Sequence, residues 1–146
     1  MTMKTQTSDQ YLANLLIDGR NMGTAFGLRE DIFIQTEKGV IILDTKYKEL
    51  LPFDEQNLYH SRRFGISDQD VRQIAIYAAK RNAKHVFLIY PLLWREKPTE
   101  KEIGYQIQLQ ENQSVYLEIL KVPFLIEEQE EKTKEELRKI LKKIYQ

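Results

Sequence analysis

The sequence predicts a mixed α/β domain of the α+β kind, with a mixed central sheet flanked by helices. Its 146 residues, 42% of them hydrophobic, are enough for one domain with one core. Short apolar runs rich in β-branched residues are separated by turn signals, which indicates strands. One capped stretch carries apolar residues at helical spacing. We therefore predict a single domain over residues 1–146.

The first clear element is a hairpin. Residues 1–27 show no clear period, and residues 11–17 fit either a strand or a short helix. Beyond them, residues 31–36 are strand-like, residues 37–39 form a Gly-containing turn, and residues 40–43 are a short apolar run. Two strands joined by a short turn of this kind predict a hairpin.

A helix follows a long loop. Residues 47–66 hold Pro52, several polar residues and Gly65 and show no clear period, which predicts a long loop, and long loops in compact domains are often functional. Ser67, with Asp70 three residues later, approximates a capping box at the start of a helix. Asn82 is the predicted end. The apolar positions on the inner face are Val71, Ile74, Ala75 and Ala78.

The rest of the chain predicts three more strands and a second helix. Residues 84–91 form a buried strand that Pro91 stops. Residues 104–110 alternate apolar residues with glutamines, which indicates a strand with one wet face, and residues 115–122 form another strand. Residues 133–145 form an amphipathic helix with a solvated face. Its inner stripe consists of Leu137, Ile140, Leu141 and Ile144.

Composition excludes several classes of function. The 22 basic residues balance the 22 acidic residues, so the protein is not coated in positive charge, although a local basic groove remains open. The chain has no cysteine, which excludes disulfides, thiolate zinc sites, iron–sulfur clusters and a cysteine nucleophile. The apolar runs fall short of the roughly 18 residues of a membrane span, and the N-terminus is polar. We therefore expect a cytoplasmic protein without a membrane partner.

Charged residues stand at the end of an apolar strand. Asp44 and Lys46 follow four apolar residues and are two positions apart, so their side chains point to the same side of an extended chain. Asp31, on the partner strand of the hairpin, can reach the same place. Two carboxylates and an ammonium group then converge beside a core. The alternative is an ordinary charge pair on a solvated hairpin end.

Phosphodiester hydrolysis needs this kind of grouping. Carboxylate oxygens hold Mg²⁺ or Mn²⁺, which keeps waters and accepts a phosphate oxygen in its open positions. The ion lowers the pKa of its water and neutralises the charge that grows on the phosphate. A nearby lysine orients or deprotonates the attacking water, or stabilises that charge.

The motifs resemble those of a known nuclease superfamily. Asp31, twelve intervening residues and then Asp44-Thr45-Lys46 resemble the PD-(D/E)XK signature, and Gln73 with Tyr77 resembles the Gln-x-x-x-Tyr helix motif of its RecB-like branch. Within it, the chain is similar to the C-terminal nuclease domain of the McrC family, the cleaving subunits of McrBC modification-dependent restriction systems. Four segments carry the likeness: LRED at 28–31, DTKYK at 44–48, DVRQIAIY at 70–77 and LIYP at 88–91.

The resemblance implies a restriction-endonuclease-like core and a DNA endonuclease that depends on Mg²⁺ or Mn²⁺. It implies that Asp31 and Asp44 are metal ligands, with the Thr45 carbonyl as a third. Lys46 becomes the catalytic lysine. The implied partners are DNA, a McrB-like GTPase, and either a separate N-terminal polypeptide or a second copy of the chain.

The helix motif has a role of its own. The resemblance implies that Gln73 is catalytic by orienting the site, and that Tyr77 supports it or contacts DNA. Helical spacing independently places Gln73 and Tyr77 on one face, with Asp70 on the same side. The alternative is a solvated helix edge. In the preceding loop, Arg62 and Arg63 are candidates for contacts with DNA phosphates, although a solvated loop explains them equally well.

Two departures from the family pattern shape the remaining expectations. Glu30 stands where the family usually has proline, which is either neutral or supplies an extra carboxylate. Only about thirty residues precede Asp31, so we expect the domain to lack the family's N-terminal helix and partner-binding region. The alternative function is therefore a non-catalytic module that binds DNA or protein. A RecB-like repair or CRISPR-associated exonuclease is disfavoured, because many of those hold an iron–sulfur cluster on cysteines.

Overall fold

The computed structural model describes residues 2–54, 56–57, 62–92, 96 and 102–123, with residues 131, 135, 138, 139 and 142 of the C-terminal segment. The elements in chain order are β1 (Thr2–Ile17), β2 (Arg20–Thr36), β3 (Gly39–Thr45), α1 (Asp68–Arg81), β4 (His85–Leu92), β5 (Ile103–Gln110) and β6 (Gln113–Pro123). The predicted mixed α+β class is confirmed. None of the helices in these ranges combines the length and hydrophobicity of a membrane span.

The described strands form one mixed sheet in the order β1-β2-β3-β4-β6-β5. The first three strands are antiparallel neighbours, β3, β4 and β6 run parallel, and β5 pairs antiparallel at the far edge. The helix α1 lies between β3 and β4 in sequence, and parallel neighbours need such a crossover. This sheet with its crossover helix is compatible with a nuclease-like fold.

The helix packs on one face of the sheet and buries the larger core. Ile74 and Ala78 of α1 are fully buried in the same cluster as Ile42 and Val86 from the central strands. A smaller cluster, which includes Leu43, lies on the other face. Because β3 is buried on both faces, its sequence is a continuous apolar run rather than an alternation of apolar and polar residues. The run brings its last residues, Asp44 and Thr45, to the rim of the core.

The caps of α1 are those that the sequence predicts. Ser67 is the N-cap, and its hydroxyl oxygen accepts a hydrogen bond from the Asp70 backbone N–H at 3.1 Å. Asn82 is the C-cap in the left-handed conformation, with φ of 52°. Asparagine is one of the few residues that adopts this conformation readily. The caps fix where the helix begins, and so fix which helical turn faces the end of β3.

The N-terminal region is a long β-ribbon. Residues 11–17, left open between strand and helix, belong to β1, which pairs with β2 along its length. Asp18 and Gly19 form the turn, with φ of 51° and 76°, as a type I′ turn requires. Since β2 pairs with β3 only from Ile32 onward, the part of the ribbon near its turn extends beyond the end of β3. We call this part, residues 10–28, the arm.

One predicted strand end is wrong. Pro91 does not stop β4, which continues to Leu92. The Ile89 carbonyl faces β3, because it accepts a hydrogen bond from the Lys46 N–H just after that strand. Residue 91 lies two positions further along β4, so its backbone nitrogen faces the same side. The β3–β4 ladder has already ended there, at Thr45 and Ile89. The missing N–H of proline therefore costs no ladder hydrogen bond.

The C-terminal segment is helical at its described positions; four of them lie in the predicted helix over residues 133–145, and residue 131 precedes it. The described positions are the exposed residues Glu131, Glu135, Arg138, Lys139 and Lys142. The predicted inner stripe, residues 137, 140, 141 and 144, lies outside the described residues.

Candidate functional site

Asp31 is held against the end of β3. The ladder between β2 and β3 runs as far as the pair Ile32 and Leu43. Past this pair, Thr45 of β3 donates to the Asp31 side chain instead of to a backbone carbonyl of β2. The Asp31 Oδ2 accepts hydrogen bonds from the Thr45 amide at 2.9 Å and from the Thr45 hydroxyl at 2.6 Å. This places Asp31 close enough to interact directly with the side chain of Asp44. The hairpin therefore brings together the two carboxylates that the sequence singles out.

Asp44 and Lys46 form a largely buried pair. Asp44 Oδ2 lies 2.6 Å from Lys46 Nζ, and the side chains of Lys46 and Asp44 are only 15% and 7% exposed. The solvated hairpin end considered as an alternative is therefore wrong. Burial raises the pKa of Asp44, the contact with Lys46 opposes this rise, and the neighbouring Asp31 adds to it. The buried Oδ2 makes no well-angled hydrogen bond.

Lys46 joins the strand residues to the helix. Its Nζ donates a hydrogen bond to Gln73 Oε1 at 2.8 Å and lies 3.7 Å from Asp70 Oδ1. Burial alone would lower the pKa of Lys46, but the close contact with Asp44 and the charges of Asp44, Asp70 and Asp31 outweigh it, so the pKa is raised. The lysine is therefore an ammonium group at neutral pH, which suits it to stabilising negative charge.

Gln73 and Tyr77 form a support on α1. The Gln73 amide donates from Nε2 to the Tyr77 hydroxyl at 2.9 Å, as the four-residue spacing allows. Tyr77 is buried; burial raises its pKa, while hydrogen bonds with the Arg29 backbone and Gln73 act against the rise. The alternative of a solvated helix edge is wrong. Tyr77 therefore supports the Gln73 amide, and a contact of Tyr77 with DNA stays a prediction.

Asp70 is a member of this cluster that the sequence analysis did not select as a site residue. It is buried in the first turn of α1, and its two oxygens lie 3.2 and 3.3 Å from Lys48 Nζ. Burial raises the pKa of Tyr90, and the Asp70 charge adds to that rise. One signal was available: Asp70 shares a helix edge with Gln73 and Tyr77, and a carboxylate on that edge can balance a lysine.

The other candidates lie outside this cluster of contacts. Arg62 and Arg63 lie in the turn before α1 with exposed side chains. Arg63 pairs with Asp68, and the Arg62 carbonyl accepts a hydrogen bond from Tyr105. Contact of either arginine with a phosphate stays a prediction. Glu30, the departure from the family's proline, is fully buried and paired with Arg81, so it is not a free carboxylate.

The oxygen donors at the end of β3 fit a small divalent cation. Among the described residues no group of three acidic, histidine or cysteine side chains is arranged to hold a metal. Asp31 and Asp44 offer two carboxylates, and the Thr45 carbonyl is the third candidate. Lys46 N–H points to Ile89 on β4, and the peptide bond between Thr45 and Lys46 is trans, so the Thr45 carbonyl points to the opposite side, toward β2. Mg²⁺ typically uses one or two carboxylates and keeps several waters.

Comparisons with known proteins give a family and a structural neighbour. The model of the McrBC 5-methylcytosine restriction system component family matches residues 1–91. A chain in the refined half-complex from the tetradecameric assembly of Thermococcus gammatolerans McrB AAA+ hexamers with bound McrC is similar in structure, with 14% identity and a TM-score of 0.48. The similarity covers 78% of this chain and 25% of that one, and no curated protein matches significantly. Because the family model matches more than half of the sequence, the chain belongs to the McrBC 5-methylcytosine restriction system component family.

Proposed function

We propose that the chain carries the metal-dependent DNA endonuclease centre of a McrC-like restriction subunit. Its reaction is hydrolysis of a phosphodiester bond, with Mg²⁺ or Mn²⁺ as cofactor. The observation that carries this proposal is the buried pair of Asp44 and Lys46, on which Asp31 and Gln73 converge from two other elements.

The arrangement is costly, which favours a chemical role. Taking charged groups out of water costs several kcal/mol per ion, and apolar residues in their place are often as stable or more so. Here two strands and a helix hold an ammonium group against carboxylates at the rim of the core. Titratable groups with shifted pKa values in such a position are characteristic of functional sites.

The residues divide the chemistry between them. Asp31, Asp44 and the Thr45 carbonyl would hold the divalent ion. When bound, that ion supplies an activated water and neutralises charge on the phosphate. Lys46 holds its proton and offers an N–H to a non-bridging phosphate oxygen, which stabilises the negative charge that develops there. Gln73 fixes the direction of the Lys46 ammonium group through a hydrogen bond.

The proposal includes partners that follow from family membership. A component of an McrBC system would act on DNA together with a McrB-like GTPase. A separate N-terminal polypeptide or a second copy of the chain would supply any ligand that the Asp31 and Asp44 pair leaves missing.

The test is DNA cleavage by the wild-type protein. We expect nicking of methylated plasmid DNA in Mg²⁺ or Mn²⁺, with its McrB-like GTPase and GTP present, because the proposed chemistry would need a bound divalent ion. Chelation of the metal should abolish the products, and restoring Mg²⁺ should return them. Intact plasmid under all of these conditions would contradict the proposal.

A non-catalytic binding module is the second candidate. In the described residues the region before β2 is the strand β1 and a turn, and it contains no counterpart of the family's N-terminal helix. Such a module would bind DNA or a partner protein with the same affinity whether or not Asp44 is replaced by asparagine. It would also show no binding of divalent cations.

A further inference from the structure

A groove of about 360 Å³ lies between the arm and α1. Its lining includes Leu12 and Phe26 from the arm and Gln69, Arg72 and Ile76 from the helix. Gln73 and Tyr77 also line it, and these two residues belong to the candidate site. The groove is therefore continuous with the cluster around Lys46. Its volume is within the range of roughly 300–1,000 Å³ that is usual for ligand sites.

Phe26 lies at the edge of this groove with its side chain exposed to solvent. Its side chain is 74% exposed, although phenylalanine is normally buried. Its backbone is in the left-handed region with φ of 59°, which is a rare conformation for a bulky residue. Such strain costs roughly 1–3 kcal/mol and is concentrated at ligand-binding sites. The ring thus offers a free aromatic face beside the candidate site.

The opposite wall supplies a cation and amide groups. Arg72 is exposed on α1 and makes no hydrogen bond or ion pair with the described part of the chain. Gln69 carries an amide that can pair with the polar edge of a base. Gln73 lies one turn away on the same edge and keeps one N–H and one lone pair beyond its bonds to Tyr77 and Lys46. Proteins bind unpaired nucleic acid with this combination of an aromatic face and a positive charge along the backbone.

We propose that the groove binds an unpaired nucleobase of the DNA strand whose phosphate reaches Lys46. Phe26 stacks on the base, and Arg72 contacts a phosphate next to it. A nucleic acid fits better than an apolar peptide, because the groove ends at charged groups and carries an unpaired arginine. This inference rests on the proposed function, since it takes the strand at Lys46 to be the substrate.

The test is binding of a single-stranded oligodeoxynucleotide that carries the fluorescent base 2-aminopurine, measured in EDTA so that cleavage plays no part. Wild-type protein should quench the fluorescence by stacking. Phe26→Ala should abolish the quenching and weaken binding by roughly 5- to 150-fold, and Phe26→Trp should restore both. Arg72→Ala should reduce the slope of log affinity against log salt by about 1.

Matched variants and a second readout separate the possible failures. Met22→Ala removes another exposed apolar side chain of the arm, and Lys80→Ala removes another exposed cation of α1; both should behave as wild type. Equal quenching and affinity in Phe26→Ala and Met22→Ala would overturn the groove proposal, even if the protein cleaves DNA. Loss of stacking in Phe26→Ala would support it, even if no cleavage is ever observed.

Discussion

Replacing Lys46 with methionine is expected to lower the rate of DNA cleavage by roughly 100- to 1,000-fold, the usual loss when one preorganised donor to developing negative charge is removed. Methionine keeps most of the length of the side chain but cannot donate to the phosphate or to Gln73. The raised pKa of Lys46 keeps it protonated, so its contribution is electrostatic. Rates of plasmid cleavage under metal-saturating conditions measure the effect.

The control for this variant lies on the same hairpin. Lys38→Met changes an exposed lysine in the turn between β2 and β3, which is the end of β3 away from the site. Its cleavage rate should remain that of the wild type. Circular dichroism should show that Lys46→Met keeps its secondary structure. A folded Lys46→Met protein that cleaves at the wild-type rate would refute the role assigned to the lysine.

Replacing Glu30 with alanine is expected to have the largest effect on stability. Glu30 is 0% exposed, and its Oε1 accepts from Arg81 Nε at 2.8 Å. Arg81 also stacks on the Phe33 ring, 4.7 Å from its centroid. Alanine would leave the Arg81 charge buried without this partner, which costs about 3–5 kcal/mol in free energy of unfolding. Urea denaturation measures this loss.

Two further variants show whether the pair itself is responsible. Glu37→Ala, in the exposed turn of the hairpin, should change the free energy of unfolding by less than about 0.5 kcal/mol. The double variant Glu30→Met with Arg81→Met removes both charges and should be more stable than Glu30→Ala. The loss of stability in this double variant is compared with the losses in the single variants Glu30→Met and Arg81→Met. If the loss in the double variant equals their sum, the two residues are not coupled and the account of the pair is wrong.

Local rules explain why part of the site was predictable. Alternation along an extended chain places Asp44 and Lys46 on one side, and helical spacing places Gln73 beside Tyr77. Both relations survive in the structure because they depend only on backbone geometry. The contact between Asp31 and Thr45 lies directly after the last pair of the β2–β3 hairpin, so it also follows from the pairing of neighbouring strands.

Other features depend on tertiary packing and were missed for that reason. Asp70 becomes a partner of Lys46 only because the first turn of α1 packs against the end of β3. Residues 11–17 of the arm did not distinguish a strand from a helix, because they are exposed on both faces and the alternation that reveals a strand comes from one buried face. The turn of the arm was nonetheless readable, since Asp18-Gly19 is a strong hairpin dipeptide. Pro91 is tolerated because its neighbour β3 has already ended.

Calorimetric titration of Mn²⁺ into the protein tests the central claim most directly. Wild-type protein should bind the ion at a single site, and both Asp31→Asn and Asp44→Asn should abolish binding while the fold remains intact. Asp54→Asn changes an exposed loop carboxylate and should bind as wild type does. Absence of binding by the wild type, or unchanged binding by Asp44→Asn, would contradict a metal-dependent nuclease centre at the end of β3.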